Sequence, residues 1–90
     1  MPFAWDEDKA KENQRKHRVT FEEAETVFDD SLAKTFFDPD HLEGEERYLE
    51  IGHSDKGRLL TVSYTERQGR IRIISCRTAT RQERRDYEEE

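Results

Sequence analysis

Ninety residues suffice for one domain and not for two, and with 31% apolar against 42% charged side chains the core must be small. No apolar stretch approaches the roughly 20 residues that span a bilayer, and the single cysteine, Cys76, excludes an internal disulfide. The net charge of −6 speaks against nucleic acid as a partner, yet residues 1–50 carry 7 basic and 15 acidic side chains while residues 56–85 carry 9 basic ones against only Glu66 and Glu83.

In chain order, a short strand leads into a helix capped by Asp6, with Glu7 and Asp8 in its first turn and Trp5 placed to staple onto Ala10. This helix is predicted to end near His17. Its Ala10, Asn13 and His17 fall at i, i+3 and i+7, so the face turned inward is polar. Thr20 and Glu23 form a capping box for a short second helix whose Phe21, Ala24 and Phe28 share one face. Between Asp29 and Glu46 the composition predicts a short strand near Phe36 and then a solvated loop. Asp38, Asp40, His41 and Glu43 are possible cation donors there, but they lack the spacing and the glycine of a calcium loop.

Three strands follow, near Arg47–Gly52, Arg58–Glu66 and Arg70–Arg77, and Gln68-Gly69 supplies the glycine that a tight hairpin turn demands. A two-residue loop pairs Thr65 with Arg72, Tyr64 with Ile73, Val62 with Ser75 and Leu60 with Arg77. Leu60, Val62, Tyr64, Ile71 and Ile73 then make an apolar face for the helices, and Thr61, Ser63, Thr65, Arg67, Arg70 and Arg72 share the other. That second face is basic and rich in hydroxyls. A local field of this kind attracts phosphate whatever the total charge, because screening confines surface electrostatics to about 8–10 Å; a merely solvated charged face is the alternative. Thr80 and Glu83 form another capping box, opening a last helix in which Arg81, Arg84 and Arg85 precede Glu88, Glu89 and Glu90, against the helix dipole, with Tyr87 as its apolar anchor. The expected architecture is α+β: one domain over residues 1–90, a small antiparallel sheet with two helices before it and one after. So small a core calls for a partner or a second copy. With no secretion signature, the expected setting is a reducing cytoplasm, away from membranes.

Trp5-Asp6 with Lys9, Asn13, Lys16-His17, Phe21-Glu22-Glu23-Ala24 and Val27-Phe28-Asp29-Asp30 resemble the opening of the BrnT toxin family. The second half resembles it too, in Glu45-Glu46-Arg47-Tyr48, Ile51-Gly52, Gly57-Arg58, Tyr64-Thr65-Glu66-Arg67, Ile71-Arg72-Ile73-Ile74-Ser75, Arg77, Ala79-Thr80, Glu83-Arg84-Arg85 and Tyr87. Two positions depart from the pattern: Arg18 stands where the family tends to place glycine, and Cys76 where a small residue is usual. The resemblance implies a RelE-like fold, ribonuclease toxicity in a type II toxin-antitoxin system, and neutralisation by a BrnA-like antitoxin in a higher-order complex. DNA is then met only indirectly, where that complex represses its operon.

RNA cleavage without a metal needs an activated 2′-hydroxyl, a stabilised phosphate and a protonated leaving oxygen. For the phosphate the candidates are Arg58, Arg67, Arg72 and Arg77, since the guanidinium fork grips two oxygens and keeps its charge. For the proton transfers His17 is the candidate, because imidazole titrates near neutrality; Glu50 or Glu66 is an alternative base. Lys16 and Arg70 are placed to bind RNA. No cofactor and no metal are expected, there being no zinc-like set of cysteines and histidines. Structural readings stand beside these: His17 capping the helix end, Arg58 and Arg77 in rim ion pairs with Glu46 or Glu66, His41 and His53 at the surface, Cys76 without a base, and the whole chain a binding module without catalysis.

Overall fold

The computed structural model describes residues 2–38 and 46–89. In chain order it has β1 (Phe3–Ala4), α1 (Glu7–His17), α2 (Phe21–Val27), β2 (Lys34–Phe37), β3 (Tyr48–His53), β4 (Leu59–Arg67), β5 (Arg70–Thr78) and α3 (Arg81–Glu88). The strands form one sheet in the order β1-β5-β4-β3-β2. Strands β2 to β5 run antiparallel as expected, but β1 joins β5 in parallel, so the sheet is mixed. The contact between the rings of Phe3 and Phe28, 5.3 Å apart, holds this short strand along the edge of β5.

The polar inward face of α1 has a definite purpose. Asn13 is buried, and its side chain accepts from Cys76 N at 3.0 Å and donates to Cys76 O at 2.8 Å and Val19 O at 3.0 Å. It stands in for a neighbouring strand where β1 has ended, satisfying strand-edge groups that would be costly to leave unpaired in the interior. Asp6 caps this helix by accepting from Asp8 N at 2.8 Å, while Trp5 turns edge-on to Phe21, with ring centroids 5.8 Å apart. Arg18 closes the helix in the left-handed conformation, at φ 60.

Helix α2 begins at Thr20, whose hydroxyl accepts from Glu23 N at 3.0 Å. The return half of the expected box is missing, because the Glu23 carboxylate accepts instead from Ser54 and Arg58. Val19, Phe21, Ala24 and Val27 meet Leu60, Val62, Tyr64, Ile71, Ile73 and Cys76 in the core. All five predicted apolar strand residues are there. Gly52 lies under α2, where a Cβ would come within 2.9 Å of the Ala33 Cβ and 3.2 Å of the Val27 Cγ1, so only glycine fits without a shift.

Gln68 and Gly69 form the hairpin turn with φ 50 and φ 77, the left-handed pair that a two-residue turn requires. Thr65 pairs with Arg72 and Tyr64 with Ile73, as predicted. Beyond them the register corrects the expectation. Ser63 pairs with Ser75, Val62 with Cys76, Thr61 with Arg77 and Leu60 with Thr78, because Ile74 is an extra residue in β5. A one-residue bulge moves every later side chain to the other face. Cys76 therefore enters the core, and Arg77 leaves the helix side for the opposite face.

Helix α3 lies on that opposite face. Its capping box is complete: the Thr80 hydroxyl accepts from Glu83 N at 3.1 Å, and Thr80 N donates to the Glu83 carboxylate at 2.8 Å. Tyr87 is only one of its anchors, which corrects the expectation of a helix held by that residue alone. Tyr87 donates to Asp30 at 2.7 Å and meets the His53 ring edge-on, and Lys34 donates to the Asp86 carbonyl at 2.9 Å. Burial and Asp30 together push the Tyr87 phenol up to about 12, so it stays a donor throughout the neutral range.

Candidate functional site

Where α3 stops covering the sheet, a groove of about 440 Å³ remains, lined by Asp38, Arg47, Leu49, Thr61, Ser63, Ser75, Arg77 and Glu83. Its floor comes from three adjacent strands. In register, Leu49 lies beside Ser63 and Ser63 beside Ser75, with Thr61 next to Arg77. Arg77 is bidentate to Glu83, with Nη1 at 2.7 Å from Oε1 and Nη2 at 2.9 Å from Oε2. Thr61 also donates to Glu83, at 2.9 Å. Burial works against the charge on Glu83, but Arg77, the Thr80 N–H and the Thr61 hydroxyl outweigh it and bring its pKa down to about 2. The bond to Glu83 holds Arg77 above its ordinary range despite burial, and Asp38 adds to the effect. Both groups are fully charged at any physiological pH, and the guanidinium is fixed in direction.

A second, smaller groove runs between α1 and the edge of β5, lined by Lys9, Glu12, Asn13, Lys16, His17, Ile74 and Ser75. Ser75 belongs to both. Ser75, next to the bulge at Ile74, is thus the residue common to the lining with His17 and Lys16 and the lining with Arg77 and Arg47.

The remaining predicted residues are dispersed. Arg72 is exposed on the same face as Arg77, but five residues along β5 amount to about 16 Å at the usual rise of a strand. Arg67 and Arg70 pair beside the hairpin turn, further still. Arg58 lies on the helix side, where Nε donates to Glu23 at 3.0 Å, Nη2 donates to the other oxygen of that carboxylate, and Nη2 reaches Arg18 O at 3.2 Å. The bond from Arg58 holds Glu23 below the usual carboxylate range against the effect of burial. The sheet thus separates Arg58 from the groove. The ion-pair partners also differ from expectation: Arg58 takes Glu23 and Arg77 takes Glu83, in place of Glu46 or Glu66.

Of the alternative bases, Glu50 is buried on the helix side, accepting from Thr35 at 2.6 Å and Tyr64 at 3.3 Å. Glu66 is exposed near the hairpin, opposite Ile71. Neither lines the groove. Asp38 does, while Asp40, His41 and Glu43 lie outside the described residues. His53 packs on Tyr87, and the buried Cys76 thiol is pushed up to about 12 by desolvation, beyond use as a nucleophile at neutral pH.

The family model for the ribonuclease toxin, BrnT, of type II toxin-antitoxin systems matches residues 5–83. The chain belongs to the BrnT family. Its fold agrees with the 1.1 Å crystal structure of the Brucella abortus ribonuclease toxin, BrnT, at a TM-score of 0.68 and 25% sequence identity, over 90% of this chain and 99% of that one. A sequence search of curated proteins finds no match. Membership of the BrnT family makes this a ribonuclease toxin of a toxin-antitoxin system, with an antitoxin as partner. Among its described residues no helix is long and apolar enough to cross a membrane.

Sequence reasoning placed Thr61 and Ser63 on this face but missed Arg47, Leu49, Ser75 and Glu83 as residues of the groove. Glu83 was visible only as a capping residue. The signal that could have found Arg47 and Leu49 is the alternation of β4 carried across to β3, which places Leu49 beside Ser63, whereas Ser75 reaches this face only through the bulge.

Proposed function

We propose that this BrnT-family chain cuts single-stranded RNA without a metal, with the strand lying across Ser75 from the α1 groove into the Arg77 groove. The single observation that carries the reading is that the two grooves share Ser75. In this reading a phosphate over Ser75 is served by the Arg77 guanidinium from one groove and by the His17 imidazole from the other, which together cover charge stabilisation and one of the two proton transfers.

In this reading Arg77 and Arg47 stabilise charge building on the phosphate. Arg77 gives two of its five N–H groups to Glu83, and a third reaches Thr78 O at 3.5 Å. The rest serve the substrate. Because Glu83 holds the fork rigid, little reorganisation is needed as the transition state forms. His17 takes the proton of the attacking 2′-hydroxyl or delivers one to the leaving 5′-oxygen, solvent water makes the other transfer, and Lys16 holds the adjoining phosphate. Arg67, Arg70 and Arg72 extend the basic face toward the hairpin and guide the strand by charge. Arg58 is assigned to holding α2 and not to the chemistry. A BrnA-like antitoxin silences the enzyme by laying an acidic segment over the groove, in a higher-order complex through which DNA is reached, and its association slows as salt rises.

Incubation of purified, antitoxin-free protein with a single-stranded oligoribonucleotide in EDTA tests the reading. The expected products carry a 2′,3′-cyclic phosphate and a 5′-hydroxyl. Arg77→Lys, which keeps the charge and loses the fork, should slow cleavage by about 10²-fold, the usual effect of removing one transition-state donor. Products with 5′-phosphates, or strict dependence on magnesium, would overturn the mechanism; binding without cleavage would leave a binding module in its place.

A further inference from the structure

We propose that Phe36 is a stacking platform for a nucleobase at the rim of the Arg77 groove, a proposal that rests on the ribonuclease reading and assigns its substrate a subsite. Phe36 and Phe37 are neighbours on β2, so their side chains leave opposite faces of the sheet. Their exposures, 37% and 64%, have different explanations. Phe37 stacks on Tyr48 with ring centroids 5.3 Å apart, and Tyr48 stacks on Tyr64 at 5.6 Å, so Phe37 ends an aromatic row that starts in the core. Phe36 has no ring partner among the described residues. It pairs across β3 with Leu49, which is itself a wall of the groove.

Directly opposed side chains on one face of an antiparallel pair have Cβ atoms about 4.5–5.5 Å apart. Phe36 therefore continues the groove wall outward on the same face as Arg77. The result is an apolar surface beside the end proposed to take the phosphate, where Arg47 and Arg77 stand with Asp38 and with Glu83, the carboxylate that orients Arg77. That combination fits a nucleotide, whose base has an apolar π-face and whose phosphate is anionic. Only an unpaired base can offer that face, which makes the ligand a single-stranded segment. Every base has such a face, so the platform confers grip rather than sequence preference.

The test compares wild type with Phe36→Ala, Phe36→Leu and Phe36→Trp in steady-state cleavage of a single-stranded oligoribonucleotide. Thermal melting checks the fold of each. Loss of one base stack should raise KM about tenfold in the Ala and Leu variants with kcat little changed, and Trp should restore it. In Phe36→Trp, fluorescence should be quenched beyond the wild-type Trp5 response by a 2′-O-methyl oligonucleotide, and not by an abasic backbone of the same length. Unchanged KM in Phe36→Ala and Phe36→Leu, in a protein that still cleaves, overturns the platform and leaves the ribonuclease reading intact. An effect on self-association or antitoxin binding alone overturns it in favour of a protein-docking surface. If the wild type cleaves nothing, the ribonuclease reading fails, and the fluorescence comparison decides the stacking by itself.

Discussion

Replacing Glu83 by glutamine keeps the size of the side chain and an acceptor for Thr80 and Thr61 but removes the charge that faces Arg77. In the folded protein the carboxylate sits at about 2, against an ordinary 4.5. That difference corresponds to about 3 kcal/mol of stabilisation at neutral pH. The Glu83 side chain is 15% exposed but Arg77 is 39% exposed, so solvent screening reduces the figure to about 2 kcal/mol. The sign follows from the depressed pKa. The stabilisation is complete above 4.5, declines below it, and is lost as pH falls through 2. Urea unfolding of wild type and Glu83→Gln at a series of pH values should show a gap of about 2 kcal/mol at pH 7 that shrinks to less than half by pH 3. A gap that stays constant over this range would refute the reasoning, since the carboxylate would then contribute no linked proton. So would a gap below about 0.5 kcal/mol at pH 7, the size of an ordinary surface change.

Arg58→Ala leaves the Glu23 carboxylate, 2% exposed, without its cation, and should cost about 2–3 kcal/mol, at or below the lower end for a broken buried pair because Arg58 itself is partly exposed. Denaturant unfolding measures that cost, while cleavage per folded molecule should hold near wild type; a loss of turnover in fully folded protein would return Arg58 to the chemistry. Arg18→Gly should stabilise by about 0.5 kcal/mol, since glycine occupies φ 60 without the left-handed penalty but loses more chain entropy on folding. A melting temperature that does not rise would show that the cap is not strained.

Much of the fold was legible because it is written in local patterns. The caps at Asp6, Thr20 and Thr80, the turn at Gln68-Gly69 and the alternation from Leu60 to Ile73 each depend on residues a few positions apart. Such signals reflect backbone hydrogen bonding and side-chain periodicity, and they survive without knowledge of what lies across the core. The polar stripe of α1 was visible too, but not its reason: Asn13 is explained only by Cys76, 63 residues away. The same holds for Glu23: Thr20 as the cap was readable, but the Glu23 carboxylate, expected to close the box, turns instead to Arg58 and Ser54.

The sequence by itself determined the element types, the apolar face of the hairpin and the location of its basic residues along the chain. Tertiary structure alone decided which of those residues share a site. One extra residue at Ile74 reverses the face of everything after it, taking Arg77 from beside Leu60 to the groove floor beside Thr61. Nothing local marks Ile74 as the bulge: it shows only in the pairing of β5 with β4, and Cys76 just beyond it is held by Asn13 of α1. The placement of Glu83 has the same origin: α3 crosses the far face of the sheet, and its first turn delivers a carboxylate to Arg77. Contacts between elements distant in sequence leave no periodic trace, which is why the arginines looked like one cluster in the chain and are several in space.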